Sequence, residues 1–270
     1  MKSNALLAAV TLAASVLAAP KNNLAARALK RELGHNPLPT GPSLESPNVI
    51  VGAVDKPGTK FSTNWCGAAL EQPPPNATYT AVSATFTVPE PSATKGNKAV
   101  HGISAWVGID GDTYQKTILQ TGVDSTIING KRAYHAWYEW YPDFAHDFNL
   151  EVGAGDVIAA QVRALSPSQG VAILENQSNG QSVTKTLNAP SPTATLVGRN
   201  AEWILENFEL GGKMVGLVDF GEVTFSGAEA EAGDLSYGVS GATIMEIIQD
   251  GQVITHVDAV DDSTLVIKYL

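Results

Sequence analysis

From about residue 55 onward, apolar and polar residues alternate with a period of two, and no stretch sustains a helical period. Thr78 to Val88 interleaves β-branched and aromatic residues and stops at Pro89 and Pro91, which cannot donate to a ladder. Val157 to Ala164 begins after the turn residues Gly155-Asp156, and Val171 to Glu175 ends at Asn176. Thr243 to Gln249 and Gln252 to Val257 flank Asp250-Gly251, a strong hairpin signal because both central residues of a tight I′ turn need positive φ. A last strand is expected over Thr264 to Leu270, after the turn Asp261-Asp262-Ser263. Short strands at regular spacing predict an all-β fold, an antiparallel β-sandwich.

Alternation also sorts side chains by face, because successive residues of a strand point to opposite sides. Trp106, Gly108 and Asp110 share one side of their segment, and Ala105, Val107 and Ile109 share the other. Gln120, Gly122 and Asp124 align with Ile118; Trp137 and Glu139 align with Tyr141. Glu202 and Glu206 project together, away from Trp203 and Leu205. Four segments therefore each place acids or amides beside Trp, Tyr or Gly. A substrate groove on one sheet needs that mixture: aromatic walls, glycines that admit a ligand backbone, and a few orienting polar groups. Ordinary strands with solvated outer faces would carry Glu and Gln as well. On residue types alone, Glu139, Glu202 and Glu206 are equally open as the working acid.

The first 54 residues differ from the rest. Residues 1–18 have Lys2, a short apolar run and small residues before Ala19-Pro20, the pattern of a secretory signal peptide. Residues 19–54 hold Lys21, Arg27, Lys30 and Arg31 and are interrupted by Pro37, Pro39, Pro42 and Pro47. Over residues 1–54, five Lys/Arg stand against two Asp/Glu, a net of +3; the remainder has twelve against twenty-five, a net of −13. A basic leader before an acidic body suggests a prosegment held by charge, with Lys30-Arg31 as a dibasic cleavage point. Residues 55–270 then fit one all-β domain or two small ones, expected to be exported and monomeric. Cys66 is the single cysteine, so packing must stabilise the fold without an intramolecular disulfide. Asn76 and Asn176 open glycosylation sequons, which would mark exposed loops.

The acidic body argues against nucleic-acid partners, whose phosphates need Lys and Arg. No later segment is long and apolar enough for a membrane helix. Crowded carboxylates fit an acid working range, where protonation relieves their repulsion, and fit plain solubility equally. Gly-x-Ser-x-Gly, His-Glu-x-x-His and paired Asp-Thr-Gly loops are missing, and the five histidines lack metal-ligand spacing. Carboxylates or amides must then carry any chemistry, with no cofactor or metal. A glycoside hydrolase using Glu139 and Glu206, or a lectin-like binding module, would fit the same pattern.

Six stretches resemble the glutamic peptidases, or eqolisins: Asn64-Trp-Cys-Gly-Ala-Ala, Val82-Ser-Ala-Thr-Phe-Thr-Val-Pro, Ala105-Trp-Val-Gly-Ile-Asp-Gly-Asp, Ile118-Leu-Gln-Thr-Gly, Ala136-Trp-Tyr-Glu-Trp-Tyr-Pro and Asn200-Ala-Glu-Trp-Ile-Leu-Glu. They follow the family's order from about residue 60 to the C-terminus. The resemblance implies a sandwich of two large antiparallel sheets, concanavalin- or lectin-like, and pepstatin-insensitive cleavage of proteins and peptides at acid pH. It places the family's catalytic glutamine on Gln120 and its glutamate on Glu206, with Trp65, Trp106, Asp110, Asp124, Glu139 and Tyr141 lining the cleft. It also implies a basic prosegment that inhibits the acidic enzyme. Tyr114 and Val197 stand where some relatives pair two cysteines, and Cys66 stands where the family often has glycine or alanine.

Overall fold

The computed structural model describes residues 59–96 and 98–270, together with the backbone of His35–Asn36. The expected signal peptide, and the leader apart from those two residues, lie outside the described residues. Every regular element described is a strand. The longer ones are β1 (Thr59–Ser62), β2 (Trp65–Leu70), β3 (Tyr79–Thr87), β4 (Val100–Ile109), β5 (Ile118–Ile128), β6 (Lys131–Tyr141) and β7 (Val157–Ser166). They continue with β8 (Gln169–Asn176), β9 (Gln181–Asn188), β10 (Ala201–Glu206), β11 (Glu222–Ala232), β12 (Thr243–Gln249), β13 (Thr255–Asp261) and β14 (Thr264–Tyr269).

Two large sheets form. One runs β9-β8-β7-β3-β11-β14-β13, the other β1-β12-β2-β10-β4-β5-β6 with short strands at its margins. Pairing is antiparallel apart from β1 against β12 and a two-residue contact of Gly216–Leu217 with β4. The sheets stack through their apolar faces. Val82, Phe86, Phe225 and Ile267 of the first meet Val107, Leu119, Trp203 and Leu205 of the second in one buried cluster. The sandwich expected from alternation is therefore present.

The predicted strands fall within a residue or two of those observed, with one instructive difference. Asp250 (φ 51°) and Gly251 (φ 74°) make the tight turn, but only Ile248–Val253 and Gln249–Gln252 pair across it. The chain then leaves at Ile254, and β13 joins the other sheet beside β14. Turn chemistry fixed the reversal; burial of Val257 in the inter-sheet core fixed where the strand went. Asn176 also departs from expectation. It is buried, its Nδ2 donating to Glu151 O (2.9 Å) and Asp156 Oδ2 (2.8 Å), whereas Asn76 is exposed. Cys66 is wholly buried on the inner face, with its thiol 3.5 Å from Leu205 O. Desolvation pushes that thiol well above its ordinary range, and no surface position remains from which it could link two chains.

Candidate active site

β2, β10, β4, β5 and β6 lie side by side, and their register decides which outward side chains are level. Glu202, Gly108, Gln120 and Glu139 form one row across β10, β4, β5 and β6. Ile204, Trp106, Gly122 and Trp137 form the next, and Glu206, Ser104, Asp124 and His135 the third. Trp65 of β2 stands on the other side of Glu206. The residues that alternation assigned to one face thus converge on a single sheet.

Glycines set the depth of this surface. A Cβ on Gly122 would lie 2.1 Å from Ala105 O and 2.6 Å from Trp106 Cβ, so only glycine lets the Trp106 backbone and side chain approach there. A Cβ on Gly108 would come within 2.8 Å of the Trp106 ring. Trp106 packs edge-on against Trp65 (centroids 4.8 Å apart, 77° between planes). Its Nε1 donates to Glu206 Oε2 at 3.0 Å. Ser104 Oγ donates to Asp124 Oδ1 (2.7 Å) and accepts from Trp137 Nε1 (3.1 Å). Trp65, Trp106, Trp137, Gln120, Glu139 and Glu206 are all fully buried.

Two members of this set, Trp65 and Gln120, bury polar side-chain atoms that have no hydrogen-bond partner among the described residues, one atom in Trp65 and both in Gln120. The two in Gln120 are its amide nitrogen and its carbonyl oxygen. Leaving such a group unsatisfied costs about 1–3 kcal/mol, so its environment is built for something other than stability.

At the end of the face beyond the Gln120 row, the chain turns tightly. Asp110 has φ 63°, and its carboxylate accepts the N–H groups of Val197, Gly198, Arg199 and Asn200. Burial nevertheless pushes its pKa up against those four donors. Asp110, expected to line the cleft, has its carboxylate engaged by the backbone N–H groups of residues 197–200. Glu202 accepts the Asp112 N–H at 2.9 Å. Burial, then the nearby Asp112 and Asp110 charges, hold Glu202 well above the usual carboxylate range.

Tyr141 is half-buried at the edge of the apolar patch formed by Trp65, Trp106, Ile118 and Trp137. Ser104 joins the face beyond the residues that the sequence assigns to it; it shares the strand parity of Trp106, which is the signal that finds it. An open cavity of about 1430 Å³, lined by His101, Asn207, Met214 and Gln249, includes none of Trp106, Gln120, Glu139 or Glu206. No group of His, Cys, Asp and Glu among the described residues is arranged to hold a metal ion.

Comparison with known proteins agrees with this geometry. Residues 63–269 match the model of the Peptidase A4 family. Aspergillopepsin-2 of Aspergillus niger is 39% identical over 288 aligned residues, covering 98% of this chain and 99% of that protein. Scytalidopepsin B of Scytalidium lignicola is 39% identical over 207 residues, 76% of this chain and 72% of that protein. A scytalido-glutamic peptidase crystallised with a transition-state analogue inhibitor superposes with a TM-score of 0.69 at 35% identity, over 77% of this chain and 98% of the other. The aspergilloglutamic peptidase of Aspergillus niger gives a TM-score of 0.60 at 47% identity, over 63% and 99% respectively. The glycoside-hydrolase and lectin-like alternatives fall with these matches. This chain belongs to the Peptidase A4 family and is a glutamic-type acid endopeptidase acting on proteins or peptides.

Proposed function

We propose that Glu206 and Gln120 are the catalytic pair of a secreted acid endopeptidase. The observation that carries this reading is the fully buried, unpartnered amide of Gln120 on the same sheet face as Glu206. Amide hydrolysis needs an activated water, a stabilised oxyanion and a protonated leaving nitrogen. Glu206, as a carboxylate, takes a proton from the water and returns it to the departing amine. The Gln120 N–H donates to the tetrahedral oxyanion, and its carbonyl helps hold the water. A glutamine cannot titrate, so its donor persists at any pH.

Register alone would favour another base, because Glu202, not Glu206, is level with Gln120. The surroundings of the two carboxyls favour Glu206. Each accepts an N–H, from Asp112 at Glu202 and from the Trp106 indole at Glu206. Glu202 is the crowded one, where burial and the Asp112 and Asp110 carboxylates hold its pKa well above the usual range. Trp65, Trp106, Asp124, Glu139 and Tyr141 form the walls against which a peptide chain lies.

The leader is read as an inhibitory prosegment. In support, the backbone of His35–Asn36 pairs antiparallel with Glu209–Leu210, three residues beyond Glu206. Of the two sequons, only Asn76 is placed to carry a glycan.

Glu206→Gln and Gln120→Ala are each expected to lower kcat by at least about 100-fold with the circular dichroism spectrum unchanged. Near-normal peptidase activity in either purified, folded variant would sink the assignment.

A further inference from the structure

We propose that Glu202 is a positioning residue: as a neutral carboxylic acid it clamps the Asp110–Thr113 turn beneath the Gln120 end of the active face, and its ionisation sets the upper pH limit of the active form. The inference rests on the catalytic reading above, and adds to it a group that touches no reacting atom.

The clamp is built from both sides. From β10, Glu202 Oε1 accepts the Asp112 N–H, while its Oε2 has no hydrogen-bond partner among the described residues. From the residues before β10, Asn200 Oδ1 accepts the N–H groups of Thr113 (3.0 Å) and Tyr114 (3.1 Å). Asn200 Nδ2 donates to Thr113 Oγ1 at 2.7 Å. Asp110 accepts four backbone N–H groups from residues 197–200. The turn is thereby stitched to the start of β10 through its whole length.

The turn also reaches the reacting face. A Cβ on Gly111 would lie 2.6 Å from Ile118 and 3.3 Å from Glu202 Oε2, so turn, Ile118 and Glu202 are in close contact. Ile118 in turn meets the Cβ position of Gly108 at 3.3 Å, and Gly108 stands level between Glu202 and Gln120. A shift of the turn therefore displaces the floor beside Gln120. Packed side chains without voids transmit such shifts rather than absorb them.

Burial and the charges of Asp112 and Asp110 disfavour an ionised Glu202 and outweigh the Asp112 N–H, which favours it. Asp110 and Asp112 press from the turn and Glu206 from its own strand, and all three raise the Glu202 pKa. Glu71, whose backbone carbonyl accepts from Asn200 Nδ2, pairs its carboxylate with Lys60, so that cation is already engaged. The sign follows from linkage. A carboxyl whose folded-state pKa is raised binds more protons folded than unfolded. Its contribution to stability is complete below the unfolded-state value of about 4.3 and is lost as pH rises through the folded-state value. Ionised Glu202 would face two buried carboxylates across one hydrogen bond, and the clamp would open.

Glu202→Gln in the full chain separates this role from the chemistry. The amide keeps an acceptor for Asp112 N–H and cannot ionise. The expected result is acid-range kcat within about threefold of wild type, and a pH of half-inactivation at least about one unit higher, followed both by peptide hydrolysis and by Trp fluorescence. Glu202→Leu, which cannot accept the N–H, should lose acid-range kcat by about tenfold or more or fail to fold, with Gln rescuing it. An unmoved alkaline limit in Glu202→Gln, or a loss of acid-range kcat as deep as that of Glu206→Gln, would overturn the proposal. Because fluorescence reports the alkaline limit without turnover, this result stands apart from failure of the Glu206–Gln120 assignment, which the Glu206→Gln and Gln120→Ala activities read.

Discussion

The two sheets of this sandwich are built from the same alternating code and use it differently. In the sheet containing β3, β7 and β8, burial alternates along each strand: inward Val82, Ala84 and Phe86 are buried, while Ser83 and Thr85 are only partly so and Thr87 is exposed. In the sheet containing β4, β5 and β10, nearly every position is buried on both faces. Its second face nevertheless carries Gln120, Glu139, Glu202 and Glu206 among three tryptophans and two glycines. Polar groups are normally kept where water can reach them. A sheet that buries so many on the side away from the core is spending stability on a surface with another purpose.

The contrast extends to pH. On the solvated sheet, Arg163 grips Glu231 through two hydrogen bonds of 2.8 and 2.6 Å and holds its carboxyl below the ordinary value. That pair stabilises the fold above the unfolded carboxylate range and is lost as pH falls through the folded-state value. On the closed face, Glu202 has the opposite sign and favours the fold in acid. Only the second arrangement suits an enzyme that works at low pH.

Substitutions can break or sharpen this comparison. The largest effect is expected at Gln120→Ala, at least about 100-fold in kcat with little change in thermal midpoint, whereas Thr87→Ala on the solvated face should shift stability by no more than about 0.5 kcal/mol and leave kcat alone. Phe225→Ala, in the shared core, should cost about 3–5 kcal/mol in denaturant unfolding without changing the acid-range pH profile of the remaining folded enzyme. Gly122→Ala should cost about 1–3 kcal/mol and also lower kcat, because the added methyl collides with Ala105 O and displaces Trp106. Arg163→Ala should cost about 0.2–1 kcal/mol at neutral pH and less in acid, where calorimetry at both pH values would reveal the sign.

Much of this was legible in the sequence, for local reasons. Period-two alternation assigned Trp106, Gly108, Gln120, Glu139 and Glu206 to one side of their strands, because side-chain direction depends only on position along a strand. Turn chemistry marked Asp250-Gly251 for the same reason. What escaped depends on partners distant in the chain. The register that places Glu202 level with Gln120 involves strands more than eighty residues apart. The engagement of Asp110 with residues 197–200, and the burial of Asn176 against Glu151 and Asp156, likewise arise only when separated segments meet. Residue types could not choose between Glu202 and Glu206; the family motif named Glu206, and the crowding of carboxyls at Glu202 supplies a physical ground for it.

That choice is where the account is most exposed. Acid-range kcat for Glu206→Gln and Glu202→Gln, measured side by side on one peptide with both variants checked for native fluorescence, tests it directly. The account predicts a loss of at least about 100-fold for Glu206→Gln and less than about threefold for Glu202→Gln, in line with removal of a general base against retention of a neutral clamp. The reverse order would place the base on Glu202 and contradict the central assignment.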